Sequence, residues 1–85
     1  MAVSVRLADD ARDDFDALPS TVKGRVLSVF ERLKQWPNVS GAKPMKGKLA
    51  GNFRIRTGDW RIVFRFASPE VIVVRIKHRR EVYED

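Results

Sequence analysis

Residues 53–66, FRIRTGDWRIVFRF, read as two strands joined by a tight turn. Phe53 and Ile55 alternate with Arg54 and Arg56. Trp60, Ile62, Phe64 and Phe66 alternate with Arg61, Val63, Arg65 and Ala67. A period of two is that of a β-strand, whose successive side chains point to opposite faces. Gly58-Asp59 between the two runs is a hairpin turn signal. Downstream, Ser68-Pro69-Glu70 turns the chain again. Val71 to Ile76 then forms a nearly continuous β-branched run, as expected of a central strand. These three strands make an antiparallel meander.

Upstream of the hairpin, residues 37–52 are rich in Gly, Pro, Asn and Ser and read as loop. Before them, Val22, Val26, Val29, Phe30, Leu33 and Trp36 line one face of a helix that Ser20 caps and Pro37 ends. Gly24 within it suggests a close helix contact. Ala8, Ala11, Phe15 and Leu18 mark an earlier amphipathic helix. Asp9 or Asp10 is its expected cap, and Asp13 and Asp14 add to the negative charge that the helix dipole favours near its start. Pro19-Ser20 leaves room only for a hairpin between the two helices. Val3, Val5 and Leu7 alternate with polar residues as a short first strand. The predicted order is β-α-α-β-β-β, an α+β fold with the helix hairpin on one face of the sheet. Its 85 residues make one expected domain.

The chain carries +6, unevenly spread. Residues 1–42 hold six basic and six acidic residues. Residues 43–80 hold eleven basic residues against Asp59 and Glu70 alone. Net charge aids solubility anywhere on a surface; clustered charge of one sign is the footprint of a polyanion partner. There is no cysteine, so disulfides and thiolate metal sites are excluded. The N-terminal residues lack a basic segment followed by an apolar stretch, and no apolar run approaches a membrane span. A cytoplasmic protein without membrane contact is expected.

If Phe53, Ile55, Trp60, Ile62, Phe64, Phe66, Ile72, Val74 and Ile76 face the helices, then Arg54, Arg56, Arg61, Arg65, Arg75 and Lys77 share the open face. Lys43, Lys46 and Lys48 lie on the loop leading in. Such a surface grips phosphates. The single histidine, His78, has the side chain best suited to proton exchange near neutral pH. Arg79, Arg80 and Tyr83 follow it. No phosphate-binding glycine loop, zinc ligand set or obvious carboxylate pair is present. No metal or other cofactor is expected. A phosphodiesterase with these residues suits RNA, whose own 2′-OH is the nucleophile; cations then orient the phosphate and stabilise the developing charge.

Two segments carry a family resemblance. FRIRTGDWRIVF at 53–64 and HRREVY at 78–83, at this spacing and with the helix hairpin before them, resemble the RelE branch of the RelE/ParE toxins of bacterial and archaeal toxin–antitoxin modules. The resemblance implies a RelE-like, microbial-RNase-like fold and a ribosome-dependent messenger RNA endonuclease that inhibits translation. It implies a cognate antitoxin as partner, with operator DNA bound only through the antitoxin complex. By the same resemblance Arg54, Arg56, Arg61, Arg79 and Tyr83 are catalytic positions, Arg61 on the scissile phosphate and Tyr83 orienting or stacking on the substrate. Some family members carry lysine where Arg54 and Arg56 stand. Arginine stays protonated, which leaves the general-base role to His78, although its strand parity is opposite to Arg79. Two other functions fit the same fold: a ParE-like inhibitor of DNA gyrase, and a non-catalytic RNA-binding protein.

Overall fold

The computed structural model describes residues 3–81. Strand β1 (Ser4–Leu7) leads into helices α1 (Asp9–Asp16) and α2 (Ser20–Leu33). Strands β2 (Lys43–Pro44), β3 (Phe53–Thr57), β4 (Trp60–Ala67) and β5 (Glu70–His78) follow, with a 3-10 turn at Gly47–Leu49 before β3. The five strands form one sheet in the order β1-β5-β4-β3-β2. β5 through β2 run antiparallel, while β1 joins β5 in parallel, with Val5 opposite Val71 and Leu7 opposite Val73. The predicted order holds, with two additions. β1 lies at the β5 edge, and the two-residue β2, within the predicted loop, closes the other edge against Phe53 and Arg54.

Thr57 pairs with Trp60, so Gly58 and Asp59 alone make the turn. Gly58 sits at φ +59, a left-handed conformation that glycine adopts without Cβ strain. The turn fixes the register, and the register puts Arg56 directly opposite Arg61.

The helix-facing core is built from Ile55, Ile62, Phe64, Val71, Val73 and Ile76 of the sheet, with Ala11, Leu18, Val26, Val29, Phe30 and Leu33 of the helix hairpin. Phe15 and Phe30 touch between the helices, ring centroids 6.1 Å apart. Trp36 meets Phe53 at 4.8 Å and Phe64 at 5.3 Å.

One set of core positions differs from the alternation. Ile72 and Val74 were expected to face the helices; Val71 and Val73 do. The β4–β5 ladder slips between Val63 and Phe64: Val63 pairs with Arg75 and Phe64 with Val73, leaving Val74 as an extra residue. Such a bulge reverses the parity of everything beyond it, which returns Ile76 to the core. Ile72 and Val63 are nonetheless buried, at 4% and 2% exposure. They lie on the open face, flanked in register by Arg6 and Arg65, and by Arg54 and Arg75. Arginine stems shield apolar neighbours in this way.

The helix ends also differ in detail. Ala8, not Asp9 or Asp10, occupies the cap position of α1; its N–H donates to the Val73 carbonyl at 2.9 Å, so it still belongs to the strand connection. Pro19 precedes α2, whose first residue is Ser20. α2 stops at Leu33, and a tighter turn carries the chain to Trp36, whose N–H donates to the Leu33 carbonyl at 3.0 Å. Gly24 marks no close contact, since a Cβ there would meet nothing within 4 Å. A Gly24→Ala variant is therefore expected to be more stable by about 0.5–1 kcal/mol, because alanine restricts the unfolded chain at a helical site. Chemical denaturation checks this; a lowered midpoint would contradict the open environment.

Candidate nucleic-acid interface

The sheet face away from the helices carries Arg54 and Arg56 on β3, Arg61 and Arg65 on β4, and Arg75 and Lys77 on β5, as the ladder registers require. Two concavities organise it. The smaller, about 160 Å³, is lined by Arg56, Gly58, Asp59, Arg61 and Arg79. Three of the six predicted catalytic residues thus meet at one place. Arg56 and Arg61 come from the paired ends of the β3–β4 hairpin. Arg79 follows β5 and is tied to the turn: its N–H donates to the Asp59 carbonyl at 2.7 Å, and its Nε lies 3.7 Å from Asp59 Oδ1. Asp59 therefore positions Arg79. The sequence displayed it only as a turn residue; its proximity to Arg79 needs the fold.

The larger concavity, about 300 Å³, wraps the β3 edge and is lined by Arg54 and Arg56, by Lys43, and by Arg32 from the last turn of α2. Lys46 just before the 3-10 turn and Lys48 within it are exposed and line neither concavity. Arg65 is exposed further along β4. His78 lies elsewhere. It pairs with Trp60 on the helix-side parity, its ring meets the Trp60 ring edge-on at 5.1 Å, and its Nδ1 accepts from the Arg80 N–H at 3.2 Å. The structure does not bring it to Arg56, Arg61 and Arg79. Tyr83 falls outside the described residues.

Arg75 and Lys77 are held at the opposite side by Asp14 of α1. Asp14 accepts from Arg75 Nε at 2.9 Å, from Arg75 Nη2 at 3.2 Å and from the Ile76 N–H at 2.8 Å, and Lys77 Nζ is 3.9 Å away. β1 ends opposite Val73, so the Ile76 N–H stands at a bare edge that Asp14 covers. Burial pushes the Asp14 carboxyl up; the Arg75 hydrogen bond, the Ile76 N–H and the charges of Arg75 and Lys77 outweigh it and leave it below its ordinary 3.8. A depressed carboxylate contributes stability at pH values above its unfolded pKa, and loses that contribution as the pH falls through the folded value. Asp14→Asn is expected to cost about 1–3 kcal/mol at neutral pH, with the gap from wild type closing in acid below pH 3.8. Denaturation at neutral and acidic pH reads both; a gap that stays constant into acid would remove Asp14 from this role.

Among the described residues no group of three or more His, Cys, Asp or Glu is placed to hold a metal ion. No helix among them is long and apolar enough to cross a membrane.

A helix hairpin over one face of a meander sheet is the fold of known RelE toxin structures. The toxin–antitoxin complex RelBE2 of Mycobacterium tuberculosis contains a chain that superposes with a TM-score of 0.82 at 29% identity, covering 93% of this chain and all of that one. The YoeB/ParE toxin of Agrobacterium tumefaciens shares the fold with a TM-score of 0.75 at 19% identity, over 89% of this chain and 98% of that one. Toxin RelG of Mycobacterium tuberculosis is 33% identical over 98% of both chains. The family model for the ParE toxin of the type II toxin–antitoxin system parDE matches residues 5–83. The chain belongs to this family, within the RelE/ParE toxin superfamily, and is a toxin of a type II toxin–antitoxin system.

Proposed function

We propose that this toxin is a metal-independent endoribonuclease that cuts messenger RNA in the ribosomal A site and so inhibits translation. The observation that carries the reading is the convergence of Arg56, Arg61 and Arg79 on one cavity of the open face. In the reaction the 2′-oxygen attacks the adjacent phosphorus and the bond to the 5′-oxygen breaks. The 2′-OH proton leaves, a proton reaches the departing 5′-oxygen, and a 2′,3′-cyclic phosphate and a 5′-OH remain. Charge builds on the phosphoryl oxygens at the transition state. Arginines keep their charge at any physiological pH, so the work of these three is electrostatic and orienting. Preformed cations aimed at developing charge are the strongest catalytic device available without a cofactor. The ribosome fixes the message, which a shallow cleft on an 85-residue protein has little surface to do alone.

The whole chain serves as one cytoplasmic toxin domain in this reading. A cognate antitoxin covers the arginine face and restrains the toxin, and operator DNA is reached only through that complex. The RelB–RelE complexes of Methanococcus jannaschii and Pyrococcus horikoshii, whose toxins share this fold, support such a partner.

Primer extension on a reporter message in a translation extract tests the nuclease. Cuts at defined A-site positions, dependent on ribosomes, are expected. The ParE family match favours a second reading, inhibition of DNA gyrase. Intact message together with blocked supercoiling would establish that one instead.

A further inference from the structure

We propose that the 300 Å³ cleft at the β3 edge is a second phosphate subsite, which holds the nucleotide next to the one cleaved. The inference rests on the nuclease reading and extends it to residues that the sequence does not connect. Arg32 lies on α2, twenty-two residues before Arg54, yet both line this cleft together with Lys43 and Arg56. Two features build the site. Arg32 Nη2 donates to the Ser40 carbonyl at 2.7 Å, which fixes the guanidinium against the segment leading into β2. Lys43 is placed opposite Arg54 by the short β2–β3 ladder. Gly41 turns the chain between them at φ +86, with its Cβ position 4.0 Å from Ile55 Cγ1, so the backbone lies close against the β3 edge.

Charge and spacing select the occupant. No carboxylate lines the larger cleft, whereas Asp59 lines the smaller one. Arg56 lines both, so its side chain stands where the two adjoin. Arg54 and Arg56 are two residues apart on one strand, about 7 Å, a separation on the scale of one nucleotide of extended backbone. A single strand with its scissile phosphate at Arg56, Arg61 and Arg79 therefore meets Arg54, Lys43 and Arg32 with its neighbouring phosphate. The direction of travel is over the β3 edge toward the end of α2.

The test uses the full chain and a ladder of 2′-deoxy oligonucleotides, lengthened one nucleotide at a time. These cannot be cut, so the readout is binding alone. For wild type, affinity is expected to step up roughly tenfold once the strand spans both clefts. Lys43→Ala and Arg32→Ala should each remove the step and lower the slope of log affinity against log salt by about 1. Arg32→Ala also loses the Ser40 tether; Lys43→Ala removes only an exposed side chain and keeps the inference testable if the tether proves structural. A wild-type ladder without a step overturns the subsite, as do variants that retain it. So does a ladder unchanged by Lys43→Ala when antitoxin binding is lost, which would assign the cleft to acidic side chains of the partner. An intact step with no cleavage on ribosomes would instead remove the nuclease reading and leave the phosphate site.

Discussion

Arg61→Ala is expected to fold normally and to lose about 10²–10³-fold of its cleavage rate on programmed ribosomes. Arg61 is half-buried near the start of β4, flanked by Arg56 on β3 and Lys77 on β5. Its backbone belongs to two ladders that alanine leaves intact. Its side chain enters the cavity that Arg56 and Arg79 also line. No other residue of that group is so restrained by neighbours on both sides: Arg79 is 63% exposed beyond the strand. A restrained cation loses little entropy when it meets the phosphate, so its removal should appear in the chemical step more than in binding. Arg61→Lys keeps the charge without the planar fork and should recover part of the loss. Single-turnover cleavage, with circular dichroism to establish folding, measures this. A folded Arg61→Ala that cuts at the wild-type rate would take Arg61 out of the mechanism.

Phe64→Ala is expected to cost about 3–5 kcal/mol, a large share of the roughly 5–15 kcal/mol that holds a domain together. Phe64 is fully buried in β4 at the centre of the sheet order. Its ring stacks with Phe53 at 5.7 Å and takes the edge of Trp36 at 5.3 Å. Its removal leaves a cavity that β4, paired on both sides, cannot collapse to fill. Phe66, two residues on, is 41% exposed, so Phe66→Ala should cost much less. Urea denaturation of the two variants side by side measures the difference. Equal losses would mean that the cluster around Trp36, not burial at the sheet centre, carries the stability.

The alternation within 53–66 was enough to place the hairpin, its turn and its two faces, because a period of two admits only one assignment once one face is apolar. The helices were equally legible from their apolar stripes. Val71 to Ile76 was not, since a run that is apolar at successive positions carries no parity, and the bulge at Val74 is set by how β5 fits β4. The arginine face followed from pattern alone. Its division into two clefts did not: that depends on Arg32 reaching across from α2 and on Asp59 tying Arg79 to the turn. His78 had the right chemistry in the sequence, but its pairing with Trp60 turns it to the other side of the sheet.

The tight turn at Gly58-Asp59 has a cost that shows only when nothing is bound. By fixing Arg56 opposite Arg61, it holds two like charges side by side on adjacent strands, an arrangement that opposes folding. In the proposed nuclease reading, the protein gives up stability at the place where it meets the phosphate, as functional sites commonly do. An anion lodged between the two cations would relieve that repulsion, so occupancy would stabilise the toxin beyond the contacts the anion itself makes. A partner that offers a carboxylate to this pair would draw on the same relief as the substrate phosphate, and the two would compete for a single source of binding energy.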